Sequence, residues 1–144
     1  MVRKANQQDL PALAGLGARL WPGHTPQQLA DELAGTMSGA DACFFLKLEG
    51  ETPAGFAQCQ LRRDYVEGTQ TTPVGYLEGI FVCAEYRRRG YARELLAACE
   101  GWARAAGCRE FASDCELDNL DSFRFHRAAG FAEANRIICF AKEL

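Results

Sequence analysis

Two sets of residues in this chain are suited to chemistry. The first is the run Arg87-Arg88-Arg89-Gly90-Tyr91-Ala92-Arg93. Its guanidiniums carry fixed charge and forked donors that match phosphate oxygens. Gly90 lets the backbone come close to an anion, and the small Ala92 keeps the turn uncrowded. If a helix opens there, its free N–H groups and the positive end of its dipole serve the same anion. The chemistry is capture of a pyrophosphate. The second set is acidic: Glu78, among Leu77, Ile80 and Phe81, and Asp114, near the end of a later apolar run. A partly buried carboxylate of raised proton affinity can accept a proton from an attacking amine, directly or through water. An amine of the lysine kind has a reference pKa near about 10.4, so losing that proton at neutral pH costs roughly 4 kcal/mol. Trp21 and Tyr65 offer flat faces to sugar rings and cations.

The elements that must position these residues follow from pattern. Tyr76 to Val82 is β-branched and aromatic, a strand, and Gly79 inside it signals a bulge or a close approach. From Tyr91 to Ala106, Leu95, Cys99, Trp102 and Ala106 recur at helical spacing. Upstream, Val2 to Ala5 reads as a short strand, and Asn6 with Asp9 as a cap. Leu10, Leu13, Leu16 or Gly17, and Leu20 form the stripe of a first helix that Trp21-Pro22-Gly23-His24 ends. Thr25-Pro26-Gln27-Gln28 opens a second helix, running to about Ser38. Ala42–Leu48 and Pro53–Arg63 form a hairpin about Glu49-Gly50-Glu51, and residues 64–73 read as a mobile loop. Cys108 to Cys115 is the next strand, Leu120 to Ala129 a helix, and Phe131 to Lys142 a last strand. The order β-α-α-β-β-β-α-β-α-β is an α/β (α+β) fold in one domain, residues 1–144. A mixed sheet carries helices on both faces, and the central unit makes a right-handed crossover.

Bulk properties narrow the partners. Nineteen acids against 16 bases, net −3, argue against a nucleic-acid binder and favour a cationic ligand. No apolar run is long enough to span a membrane and no leader pattern opens the chain, so the expected home is the cytoplasm. The seven cysteines include no Cys-x-x-Cys pair and mostly interrupt apolar patterns, as small core residues do in a reducing compartment. No metal site is expected.

Arg87-x-x-Gly90-x-Ala92 between strand and helix resembles the coenzyme A signature of the GCN5-related N-acetyltransferase (GNAT) superfamily. A second motif agrees: Asn119-Leu-Asp-Ser122-Phe-Arg-Phe-His126-Arg-Ala-Ala-Gly130-Phe131 is similar to the superfamily's Asn-x-x-Ala-x-x-x-Tyr-x-x-x-Gly-Phe. His126 stands where those enzymes often have a tyrosine that protonates the leaving thiolate. Leu20-Trp-Pro-Gly-His24, Asp64-Tyr65-Val66, Leu77-Glu-Gly-Ile-Phe-Val82, Gly107-Cys-Arg-Glu110 and Ala112-Ser-Asp114 look like one branch, the aminoglycoside 6′-N-acetyltransferases. The resemblance implies a homodimer, acetyl-CoA as donor and a cationic aminoglycoside as acceptor. It implies an acceptor pocket lined by Trp21, His24, Tyr65, Glu78 and Asp114, with Asn135 where relatives carry an acid that Glu133 could replace. For the cofactor it implies Ile80, Phe81, Val82, Arg87 to Arg93 (Gly90, Tyr91 and Ala92 included), Asn119 and Ser122. Glu78, Asp114 and His126 are the candidates for proton transfer, by direct transfer in a ternary complex. Two other readings keep the fold: a polyamine or protein amine as acceptor, or a coenzyme A-binding sensor without turnover.

Overall fold

The structure, a computed structural model, describes residues 1–144. Strand β1 (Val2–Lys4) leads through a single 3-10 turn, Gln7–Asp9, into α1 (Leu10–Leu20) and α2 (Pro26–Met37). Then come β2 (Ala42–Glu49), β3 (Thr52–Arg62), β4 (Val74–Val82), α3 (Tyr91–Ala105), β5 (Phe111–Ser113) and α4 (Leu120–Ala128). The helix starts follow from their caps. The Asn6 side chain accepts from the Gln8 N–H at 2.9 Å, and Asp9 accepts from the Asn6 N–H at 2.9 Å. Thr25 and Gln28 reciprocate in the same way at 2.9 and 3.1 Å. Asp9 also takes the Arg3 fork at 2.7 Å on each oxygen, which ties β1 to the start of α1 and holds the carboxyl below its usual range.

The sheet runs β1-β2-β3-β4-β5, antiparallel except for the parallel β4–β5 pair that α3 connects. Alternation sorts its side chains into two cores. Leu13 and Leu16 of α1 and Leu33 of α2 pack on Phe44, Leu46 and Phe56. On the other face, Leu95, Leu96 and Cys99 of α3 pack on Cys43, Ala57, Cys59 and Leu77, with Phe125 of α4 at the margin. Five cysteines are buried and none is bonded to another, as their apolar settings require. In Cys43, contact with Cys59 and burial both push the thiol up, away from reactivity.

Three expectations change. The final strand, Phe131 to Lys142, does not form: residues 131–144 follow α4 without a ladder, leaving Ile137, Ile138 and Phe140 70%, 80% and 91% exposed. β5 offers only three residues of edge, too short a ladder to hold the segment, and Ala134 lies against Gly68 of the 64–73 loop instead. The strand expected over Cys108–Cys115 is only Phe111–Ser113, the length over which it pairs with Gly75 to Leu77 of β4. The loop 64–73 is pinned rather than loose. Glu110 accepts from the Gln70 N–H, the Thr71 N–H and the Thr71 hydroxyl at 2.9, 2.8 and 2.5 Å, and Val66 is buried beneath.

Candidate functional site

The bulge falls where Gly79 signals it, and Glu78 is the extra residue. Gln58 lies opposite Gly79 and Cys59 opposite Leu77, so Glu78 has no partner on β3. Gly79 has to be bare for another reason: a Cβ there would lie 2.6 Å from the Trp21 ring. Trp21 closes the end of α1 and meets Phe56 edge-on at 5.8 Å, which brings its indole beside the bulge.

On its other side, β4 pairs with β5 only from Gly75 to Leu77. Beyond Leu77 that edge carries no strand, so an extended chain with amide groups can lie along it. Ile80 and Val82 turn toward the α3 core and Phe81 toward the α1 core, all partly buried.

This open edge leads to the arginine bend. Gly90 has φ +83° and is the N-cap of α3, a left-handed conformation that suits glycine. Arg88, not a glycine, also sits at φ 61°, a strained geometry of the kind found at binding sites. None of the six backbone N–H groups from Arg88 to Arg93 has an acceptor within the chain. Six free donors, a helix dipole and exposed guanidiniums fit a diphosphate. The arginines divide the work. Arg87 donates from Nε to the Val82 carbonyl at 3.1 Å and braces the bend. Arg93 donates to the Ala128 carbonyl at 3.1 Å, capping α4. Arg89 reaches Glu49 at 3.7 Å, and Tyr91 also bonds Glu49. Arg88 has no such tie. Lys47, the one buried charged residue, anchors the first turn of α3 from β2 by pairing with Glu94 at 2.5 Å over the Tyr91 ring.

The two acids sit in one network. Glu78, 21% exposed, is held by Arg62: Nε and Nη2 donate to Oε1 at 3.0 and 2.9 Å, and Nη2 to Oε2 at 2.9 Å. The same guanidinium stacks 3.4 Å from the Tyr76 ring centre, and the Tyr76 hydroxyl donates to Asp114. Burial, then the Asp114 carboxylate, push the Tyr76 phenol well up, so it stays a donor. Asp114 is exposed, at the end of β5. Tyr76 and Arg62 thus join two carboxylates that lie on different strands.

His126 lies between two serines. Its Nδ1 is 2.7 Å from the Ser122 carbonyl, which only accepts, so Nδ1 bears the proton. In the neutral ring Nε2 then accepts from the Ser113 hydroxyl at 2.8 Å. Neither nitrogen has a proton to spare for a thiolate until the ring becomes the imidazolium. Asn119 caps α4 by accepting from the Ser122 N–H at 3.1 Å.

Other expected residues are not gathered at the acids. His24 is exposed in the turn after α1 and forms no hydrogen bond. Tyr65, 77% exposed, lines a cavity of about 360 Å³ with Asp64, Val66 and Thr69 to Thr72, apart from Glu78. Asn135 follows Ala134, which touches Gly68 of that loop, while Glu133 is taken by Arg136, whose guanidinium holds it below the usual carboxylate range. Sequence reasoning missed Arg62, Tyr76 and Ser113. Tyr76 shares the face of Glu78 by strand alternation, a signal that was there to read; the contacts of Arg62 and Ser113 span distant segments.

A mixed sheet whose fourth strand opens beside an unsatisfied amide bend before a helix defines a class. The signature described as Acetyltransferase (GNAT) family matches residues 10–131, and the chain belongs to that family. Its relatives narrow the class. It is 41% identical to the aminoglycoside N(6′)-acetyltransferase type 1 of Stenotrophomonas maltophilia, over 99% of this chain and 93% of that protein. It is 37% identical to the enzyme of the same name from Salmonella typhimurium strain LT2, over 98% and 97%. The structure of AAC(6′)-Iy with the bisubstrate analogue CoA-S-monomethyl-acetylneamine superposes with a TM-score of 0.95, at 36% identity, over 100% of this chain and 98% of that one.

Proposed function

We propose that this acetyltransferase transfers acetyl from acetyl-CoA to the 6′-amine of aminoglycosides, by direct attack in a ternary complex. The observation that carries the reading is the continuity of the site: six free amides at Arg88–Arg93, the unpaired edge of β4, then Glu78 and Asp114. Relatives named for this activity at up to 41% identity over the full chain support it.

The chain's own residues divide the reaction. Arg88 to Arg93 hold the diphosphate, and the β4 edge past Leu77 aligns the amide-bearing arm. When bound, acetyl-CoA supplies an acyl carbon activated as a thioester. Glu78 and Asp114 draw in the ammonium group and take its proton, directly or through water. The amine nitrogen then bonds to the acyl carbon as the carbon–sulfur bond breaks. The sulfur leaves as thiolate, and His126 as the imidazolium can return a proton through Ser113. Trp21, beside the bulge, serves the acceptor at Glu78, while His24, Tyr65 and Asn135 are assigned to the acceptor by the likeness to relatives, and Asn119 and Ser122 hold the helix facing the cofactor.

The working unit in this reading is a cytoplasmic homodimer. Unpaired residues 131–144, with Ile137, Ile138 and Phe140 bare, support a second copy as their partner. The seven free thiols and the need for acetyl-CoA support the compartment. The test is acetyl-CoA turnover with kanamycin or tobramycin, with the acetylated position read by mass spectrometry and NMR. Absence of thiol release with every 6′-amino aminoglycoside would refute it, and acetylated polyamine or peptide would redirect it. Sedimentation that gives a monomer would refute the dimer.

A further inference from the structure

We infer that Arg62 is an internal stand-in for the acceptor's ammonium group, displaced from Glu78 when the cationic substrate enters. This rests on the acceptor reading above. The guanidinium contacts both Glu78 oxygens, with three hydrogen bonds of 2.9 to 3.0 Å. An ammonium group that is to pair with Glu78 has to compete with this charged fork, which already contacts both oxygens. Withdrawal of Arg62 therefore frees the Glu78 oxygens for direct pairing with the acceptor.

The surroundings make departure easy. Arg62 and Glu78 are 40% and 21% exposed in their side chains, so the pair is wet. The guanidinium also has a second resting place, the Tyr76 face 3.4 Å away, which it can keep after releasing the carboxylate. Tyr76 in turn is anchored to Asp114, so that face stays put. Glu78 and Asp114 are the acids of this network and Arg62 its one cation. Two carboxylates against one guanidinium leave the network one charge negative, so an incoming ammonium group is still attracted while the guanidinium keeps the Tyr76 face. A ligand with one ammonium group only replaces the contact it breaks. A polycation replaces it and reaches Asp114 as well. Arg62 thereby sets a threshold that favours polycations.

The test is tobramycin binding to the protein loaded with coenzyme A, by calorimetry, for the wild type, Arg62→Gln, Glu78→Gln and the double variant. Half-exposed ion pairs are weak, so Arg62→Gln is expected to bind up to about fivefold tighter than the wild type. At 1.4 kcal/mol per tenfold that is ~1 kcal/mol. In the Glu78→Gln background the same change should have no effect, since Arg62 acts through that carboxylate. Equal or weaker binding by Arg62→Gln, or an equal gain without Glu78, overturns the inference and leaves aminoglycoside acetylation standing. A wild type that neither binds nor acetylates any 6′-amino aminoglycoside overturns both. If Arg62→Gln did not fold, Arg62→Lys would decide: losing the fork, it should bind more tightly than the wild type, and equal or weaker binding would refute the idea.

Discussion

The bend after β4 and the acid cluster on β4 treat their polar groups in opposite ways. The bend leaves six backbone donors without acceptors and spends Arg87 and Arg93 on bracing neighbouring carbonyls. The cluster links its groups in a chain: Glu78 has Arg62, Arg62 has Tyr76, and Tyr76 has the exposed Asp114. A backbone site is fixed once its φ and ψ angles are fixed, so it can wait for its anion without collapsing. A side-chain site of like charges cannot wait in that way. Its acids are held by separate partners, Glu78 by the flexible Arg62 and Asp114 by the Tyr76 hydroxyl. The donor side is thus preorganised by conformation, and the acceptor side is kept in order by a temporary partner.

The largest effect that sharpens this contrast is chemical. Glu78→Gln should lower kcat/KM for tobramycin by about a hundredfold or more, the usual range for a lost proton acceptor. Asp114→Asn should lower it by less, because Asp114 is exposed and shared with Tyr76. Coenzyme A affinity should stay within about twofold in both, since neither group touches the bend. An equal loss of coenzyme A binding would erase the division between the two regions.

Next comes the backbone itself. Gly90 at φ +83° has no protein atom within 4 Å of where a Cβ would stand, so conformation and not space demands glycine there. Gly90→Val should distort the bend and raise the KM for acetyl-CoA at least about tenfold, strain of roughly 1–3 kcal/mol being expected at such a site. Arg88→Gly is the counterpart, for it relieves the φ of 61° and removes one charge. If amides dominate, its KM should rise by less than about threefold. A larger rise than that of Gly90→Val would make the side chains the site.

What could be read in advance follows the same division. The signals of the bend are local: three arginines, a glycine and an alanine at fixed spacing, followed by a helical stripe. The caps at Asn6–Asp9 and Thr25–Gln28 are local too, and the helices begin where they indicate. Arg62 meets Glu78 across 16 positions, and Ser113 meets His126 only because β5 lies beside α4. No spacing rule reports such contacts. The last strand failed for a related reason. Phe131 to Lys142 has strand composition, but a strand is a relation between two segments, and the adjoining edge, β5, is only three residues long.

A smaller effect tests the loop that carries Tyr65. Glu110 is held below the usual carboxylate range by the Thr71 hydroxyl and the backbone N–H groups of Gln70 and Thr71. A depressed carboxylate stabilises the fold above its unfolded pKa, near about 4.3, and that contribution is lost as the pH falls through the lower folded value. Melting temperature plotted against pH should therefore drop on the acid side of about pH 4.3. Glu110→Gln should flatten that limb and raise acceptor KM while leaving acetyl-CoA KM alone. An unchanged acid limb would mean the clamp does not hold the loop.

The smallest effect belongs to His126. A thiolate is a fair leaving group, its conjugate acid having a pKa near about 8.5 in the cysteine reference. At neutral pH the carbon–sulfur bond can break first and the sulfur collect its proton afterwards from water. A histidine whose neutral ring offers no spare proton therefore has little to add. His126→Asn should lower kcat by less than about tenfold, below the usual range for an essential acid. A hundredfold loss with acetyl-CoA KM unchanged would reverse this ranking: the donor side would then hold a reacting acid as well as a cradle, and the contrast between an open backbone site and a closed side-chain site would no longer divide binding from chemistry.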